Sequence, residues 1–155
     1  MGRGVKVNIL KVAGRNPDFV FLCEELEKFQ YNMLPVLKEK DYSLTNDLDD
    51  VEGFILYVDN KPIGSIGLKR ISKDVCEIVR VFVHEDYRGR GYAKTLFKQV
   101  EDYARLLGFK KAQIVAWAKA TTALKLYQKQ NYTMSEEKLS EWYGGHGYYE
   151  FFKHL

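Results

Sequence analysis

Residues 53–83 hold three extended apolar runs separated by two very short turns, and no other feature restricts the fold as strongly. Gly53 to Val58 is the first run, Asp59-Asn60-Lys61-Pro62 the first turn, and Ile63 to Ile71 the second run. Ser72-Lys73-Asp74 then leads into Val75 to Val83. Connections this short cannot carry a crossover, so the three strands must be antiparallel neighbours in one sheet. Beyond a glycine-rich junction, Ala93, Leu96, Phe97, Val100, Ala104 and Leu107 recur at helical spacing over 91–107, and Gly108 is placed to end the helix. Ala112 to Ala118 reads as a further strand and Thr121 to Gln130 as a shorter helix, which Asn131 can end in the left-handed conformation. Upstream, Val5, Val7 and Ile9 alternate with polar residues as a strand. Asn16-Pro17 caps a helix whose inner face is Phe19, Leu22, Leu26, Phe29 and Met33, limited by Pro35. The acidic stretch 45–52 reads as a short helix or loop, and strands near Tyr132 and from Tyr148 to Leu155 close the chain. The class is α/β (α+β), with about seven strands.

No repeat or composition break divides the 155 residues, so one domain over 1–155 is expected. Hydrophobic residues at 46% and charged residues at 29% describe a globular chain and exclude disordered or collagenous classes. No apolar run approaches the ~20 residues that span a bilayer. The start lacks a signal-peptide stretch, and Lys6 stands where myristoylation after Gly2 wants Ser or Thr. A soluble cytoplasmic protein with no membrane partner is expected. The net charge of +3 is too small for a dedicated nucleic-acid binder, but suits an anion held at one spot. Cys23 and Cys76 read as reduced core thiols rather than a disulfide. His84, His146 and His154 form no metal-ligating pattern.

The junction Val81-Phe82-Val83-His84-Glu85-Asp86-Tyr87-Arg88-Gly89-Arg90-Gly91-Tyr92-Ala93 joins the third strand to the long helix. Glycines at 89 and 91 let the backbone turn sharply and approach a ligand. The first helical turn offers unpaired N–H groups and about half a positive charge. Arg88, Arg90 and Lys94 add full charges. Together these suit phosphate or pyrophosphate. No Gly-Lys-Ser/Thr follows, which excludes a Walker loop, and Lys94 stands where a dinucleotide fingerprint has its third glycine. On spacing alone the segment also fits a tight loop with solvated arginines, or a basic Arg-Gly loop against nucleic acid.

Arg88-x-x-Gly91-x-Ala93 resembles the [Gln/Arg]-x-x-Gly-x-[Gly/Ala] signature of the GNAT superfamily of N-acetyltransferases. Val81-Phe82-Val83, the Glu85-Asp86-Tyr87 spacer, Ala123-Leu124-Lys125-Leu126-Tyr127 and the closing Phe151-x-Lys153-x-Leu155 are similar to that family in order and spacing. The resemblance runs from about Val5 to Leu155. It implies a mixed, largely antiparallel sheet with helices on both faces, and acetyl-CoA as cosubstrate. Carried over, the cofactor-binding residues are Val81, Phe82, Val83, Arg88, Gly89, Arg90, Gly91, Tyr92, Ala93, Lys94 and Tyr127. Backbone N–H groups of residues 88–93 would hold the pyrophosphate, and the strand end near Phe82 and Val83 would pair with the pantetheine arm. Two departures stand out: Ala120 where the family often has Asn, and Asn131-Tyr132 where it has Gly-Phe.

The resemblance implies acetyl transfer to a primary amine of a small molecule or peptide, by direct attack in a ternary complex. An alkylammonium near pKa ~10 must first lose a proton. Cys76-Glu77-Ile78-Val79 is similar to the strand that carries the base in the histone-type branch, which makes Glu77 the candidate base. A regular strand puts Glu77, Val79, Val81 and Val83 on one face, with Glu77 ~20 Å from Val83, so a long reach, a bulge or a relayed water is needed. The bland alternative is a surface carboxylate paired with Arg80. Tyr127 is the candidate acid for the leaving thiolate, with core packing as its alternative. Cys76 has no activating base nearby, and His146 reads as a solvent-loop residue.

The acceptor is expected between the early helices and the loop before the last strand. Asp47, Asp49, Asp50, Glu52, Glu136, Glu137 and Glu141 would make acidic walls for a cationic amine, unless they are ordinary solvated runs. Trp142, Tyr143, Tyr148 and Tyr149 are candidate pocket or core aromatics. A non-catalytic acyl-CoA-binding module is the competing reading, against which the pairing of Glu77 with Tyr127 argues. A monomer or homodimer without nucleic acid is expected.

Overall fold

A computed structural model of the chain describes residues 4–39, 43–140 and 145–155. Its elements are β1 (Val7–Ala13), α1 (Pro17–Met33), the single turn α2 (Val36–Glu39), β2 (Glu52–Val58), β3 (Lys61–Arg70), β4 (Val75–Val83), α3 (Tyr92–Leu106), β5 (Lys111–Trp117), α4 (Thr121–Lys129), β6 (Thr133–Met134), β7 (Lys138–Ser140) and β8 (His146–His154). They form one eight-stranded sheet in the order β1-β2-β3-β4-β5-β8-β6, with β7 also on β8. All pairs are antiparallel except β4 with β5. No helix among the described residues is long and apolar enough to cross a membrane.

The local signals act as their chemistry dictates. Asp59 (φ 48°) and Asn60 (φ 67°) are both left-handed, the two-residue hairpin turn whose twist matches the flanking strands. Asn16 Oδ1 accepts the N–H groups of Asp18 (2.9 Å) and Phe19 (3.3 Å), and Pro17 follows at the first helical position. Gly108 (φ 92°) and Asn131 (φ 70°) end α3 and α4 in the left-handed conformation.

Helices cover both faces. Leu96, Phe97, Val100 and Ala104 of α3 and Tyr127 of α4 pack on Leu56, Ile66, Leu68, Ile78 and Phe151. Phe19, Leu22 and Cys23 of α1 pack on Ile55 and Phe82 of the opposite face. Cys76 belongs to the first cluster and Cys23 to the second, so the sheet itself separates the two free thiols. Burial pushes each thiol up to about 11, which keeps it protonated and inert.

Two expectations are corrected, and the strand count of about seven becomes eight. The sheet has an eighth strand: β7 is too short for an alternating pattern and is defined only by its pairing of Lys138, Leu139 and Ser140 with Tyr148, Gly147 and His146. β1 begins at Val7, where its partner Val58 ends β2, rather than at Val5. Phe29 is 44% exposed instead of buried, because α1 overhangs the sheet where β4 and β5 separate.

Candidate active site

β4 and β5 pair only at Val75–Lys111, Cys76–Ala112 and Glu77–Gln113. Beyond Glu77 they diverge, while β5 stays paired with β8 along its whole length. The opening is a cleft of about 1120 Å³, with Ile78 to Val83 on one wall and Ile114 to Trp117 on the other. Glu77 sits at its apex.

One end of the cleft is built for an anion. Gly89 (φ 77°) and Gly91 (φ 81°) turn the chain into α3, and a Cβ on either would meet only open space. Thr95 N–H makes the first bond of the helix, to Gly91 O at 3.1 Å. The N–H groups of Tyr92, Ala93 and Lys94 therefore have no helical acceptor, and those of Gly89, Arg90 and Gly91 have no backbone acceptor among the described residues. Gly89, Gly91, Tyr92, Ala93 and Lys94 all line the cleft. Two of the expected contacts are different. Arg88 N–H is committed to Glu85 O (3.4 Å), and its Nε donates to Val83 O (2.8 Å) with the guanidinium over the Phe29 ring. The Arg90 side chain leaves the cleft and stacks on Tyr87, 5.2 Å from the ring centre.

His84 N–H donates to Ile63 O of β3 at 2.8 Å. By strand alternation, Val83 directs its N–H and C=O away from β3 and into the cleft. Arg88 Nε takes the carbonyl, which leaves the Val83 N–H as an open donor.

The shared face expected for Glu77, Val79, Val81 and Val83 is broken by a bulge. Ser65 pairs with Phe82 and Gly67 with Val79, so β4 carries one residue more than β3 between these rungs. Arg80, at φ 55°, is in the insertion, and its carbonyl accepts from the buried Ser65 hydroxyl (2.9 Å). Val79 and Phe82 consequently pack on the α1 face, whereas Val81 and Val83 pack on the α3 and α4 face. Glu77 alternates with Cys76 and Ile78, which belong to the α3 face, and so lies on the α1 face. Burial raises its carboxyl above the ordinary 4.5, against the opposing pull of Lys69 and Arg80.

Tyr127 reaches the cleft from α4, on the other face. Its ring is fixed edge-on against Phe97 (5.9 Å) and Phe151 (5.4 Å). Burial raises its pKa well above 10, so the phenol stays protonated. No described residue hydrogen-bonds its hydroxyl, yet that oxygen is not among the buried unpaired atoms, so it opens onto the cleft. Ala120 also lines the cleft and caps α4 without a side-chain bond.

The acidic walls are corrected. Of the acidic residues proposed for them, Asp47 alone lines the cleft among the described residues. Asp49 is paired with Arg15 (2.9 Å). Glu52 holds Lys11, Arg70 and the Tyr103 hydroxyl. Glu136 is exposed away from the cleft, and Glu137 lies against Gly147. Glu141, Trp142, Tyr143 and Gly144 lie outside the described residues. Tyr148 lines the cleft, Tyr149 packs on the α3-side core, and His146 begins β8. Sequence reasoning did not single out Met33, Trp117, Lys125 and Lys129 as lining residues, and treated Arg80 only as a partner for Glu77. Helical and strand patterns report which side chains are apolar, and an apolar cleft wall gives the same pattern as a core.

The acetyltransferase (GNAT) family model matches residues 19–132. An N-acetylaspartate synthetase of Xenopus tropicalis is 25% identical over 112 residues, covering 65% of this chain and 41% of the relative; the chain thus spans less than half of that relative's length. A GNAT family acetyltransferase from Elizabethkingia anophelis, solved with acetyl-CoA bound, superposes with a TM-score of 0.71 at 18% identity over 96% of this chain and 98% of that one. PaiA N-acetyltransferase from Thermoplasma acidophilum, solved with coenzyme A, gives 0.73 at 17% identity over 94% and 98%. At these identities the structures share the fold, and with the family match over most of the chain the conclusion is plain: this chain belongs to the GNAT acetyltransferase family.

Proposed function

We propose that this chain is an acetyl-CoA-dependent N-acetyltransferase acting on a primary amine of a small molecule or peptide, by direct attack in a ternary complex. The observation that carries the reading is the divergence of β4 from β5 directly after Glu77, into a cleft that ends on the unpaired N–H groups starting α3. The open space at both left-handed glycines fits a group that lies against backbone, and the exposed strand edge fits an amide-rich arm. Bound acetyl-CoA supplies the acetyl group as a thioester.

The N–H groups of Gly89 through Lys94 hold the pyrophosphate, and Lys94 adds charge from the first turn. Val83 N–H is oriented to stabilise negative charge developing on the thioester oxygen. Glu77 takes the ammonium proton at the apex; the raised affinity of its carboxyl for protons makes it a stronger base than an exposed carboxylate. Tyr127 hands its phenol proton to the leaving sulfur from the opposite face. Base and acid thus enter the gap between β4 and β5 from opposite faces of the sheet. A panel of amines with acetyl-CoA, read by release of free thiol, tests the proposal. Amine-dependent release is expected; acetyl-CoA binding with no release for any amine class would leave only a binding module.

A further inference from the structure

We propose that the acceptor amine carries a carboxylate, and that Arg80 receives it. This rests on the transferase reading above and specifies its substrate. The two sheet faces divide the cleft: the start of α3 and the Tyr127 side belong to one, while Glu77, Val79 and Phe82 face α1 on the other. The amine that meets Glu77 therefore sits on the α1 side.

Arg80 is on that side as well. In a regular strand it would face away from Glu77, but the bulge and the left-handed backbone at Arg80 bring it round. Its Nε donates to Leu44 O (3.0 Å) and its Nη2 to Asn46 O (3.3 Å), and Leu44 belongs to the α1-side cluster. An arginine has five N–H donors in a planar fork. The guanidinium also stands beside the Cys23 thiol. Among the described residues no oxygen accepts from its Nη1–Nη2 edge, which presents one hydrogen from each nitrogen. That edge matches the two oxygens of a carboxylate. The anchored edge holds the group still, so little mobility is lost on binding.

The charges around the apex agree. Lys69 is the cross-strand partner of Glu77, and both Lys69 and Arg80 pull its carboxyl downward. Asp47, on the loop that Arg80 holds, is the other acid lining the cleft among the described residues. A zwitterion places its ammonium toward Glu77 and its carboxylate toward Arg80.

The test compares L-amino acids with the matching carboxamides, aspartate and glutamate included, in wild type and Arg80→Gln. Rates are referred to unprotonated amine. Wild type is expected to favour the acid over its amide by about 10- to 100-fold in kcat/KM, the range of charge-assisted hydrogen bonds. Arg80→Gln is expected to bring that ratio close to one, whatever loosening of the 43–47 loop does to both substrates together. Arg80→Lys should keep part of it. The same preference is read without turnover from the thermal shift that each ligand adds to the protein saturated with coenzyme A. A wild-type ratio at or below one overturns the inference while leaving the transferase intact. A high ratio that survives Arg80→Gln overturns the role of Arg80. Absence of any acyl transfer overturns the proposed activity, and the thermal-shift preference then judges the carboxylate site alone.

Discussion

Glu101 is 5% exposed on α3, and it joins the elements that carry the cofactor side of the cleft. Lys153 Nζ of β8 donates to its Oε1 (2.8 Å) and to Gln130 O (2.9 Å) beyond α4, while Tyr132 OH donates to Oε2 (2.8 Å). Arg105 stands 3.8 Å away and is half-exposed. Lys153→Met removes the buried cation and leaves a carboxylate with one neutral donor and a solvated arginine. Breaking a buried pair destabilises by about 3–5 kcal/mol, and the surviving Tyr132 bond places this case near the lower value. For a chain of this size that lowers Tm by about 6–12 °C. Glu101→Leu with Lys153→Met should recover much of the loss, because no unpaired charge remains. Thermal unfolding by circular dichroism at neutral pH reads wild type, each single variant and the double variant. A single-variant shift below about 1 °C, or a double variant equal to the sum of the singles, would refute the argument. The effect should reach catalysis: Tyr132 packs on Phe97 (5.7 Å) and Phe97 on Tyr127, so a loosened network also loosens the phenol.

Tyr127→Phe should keep acetyl-CoA affinity and lower kcat on the order of 10²-fold or more; unchanged single-turnover rates would assign Tyr127 to packing alone. Acetyl-CoA at 100 times its Kd should raise the wild-type Tm by about 5–10 °C, and Gly91→Val should abolish that shift. Gly108→Val is the control, since Gly108 has the same left-handed strain (φ 92°) and open surroundings at the far end of α3; loss of the shift there too would make strain, not blocked approach, the cause. Glu77→Gln should cut kcat by about 10²–10⁴-fold and remove the acid limb of the pH profile, which in wild type lies above the ordinary carboxylate range because burial raises Glu77. The stability sign is opposite: a raised carboxyl favours the folded state only while protonated, and that contribution is lost as pH rises through its folded value. Glu77→Gln should therefore equal wild type in acid and match or exceed its Tm at neutral pH; a lower neutral Tm would make Glu77 a structural partner of Lys69 and Arg80.

The antiparallel run β2-β3-β4 was legible because Asp59-Asn60 and Ser72-Lys73-Asp74 leave the chain no other path. The α3 start was legible because glycines at 89 and 91 permit conformations that other residues resist. The parting of β4 from β5 was not, since Ile78 to Val83 and Ile114 to Trp117 are as apolar as paired strands would be. The acidic runs misled for a related reason. Composition places carboxylates near a cleft, but Arg15, Lys11 and Arg70, distant in sequence, decide that Asp49 and Glu52 turn elsewhere.

The extra residue in β4 shows why the alternation argument failed and what its failure accomplishes. An unbulged strand would put Glu77, Val79, Val81 and Val83 on one face and turn Arg80 to the other. One inserted residue moves Val81 and Val83 to the α3 and α4 face and leaves Val79 and Phe82 beneath α1. The conformation at Arg80 is unfavourable for a non-glycine residue by about 1–3 kcal/mol, so the surroundings must hold it. The fully buried Ser65 hydroxyl holds its carbonyl, and the carbonyls of Leu44 and Asn46 hold its guanidinium. Glycine would relieve the strain and lose the charge. That an arginine occupies a left-handed bulge beside the apex is explained if the position needs both the turn and the cation, which ties the local backbone to acceptor recognition.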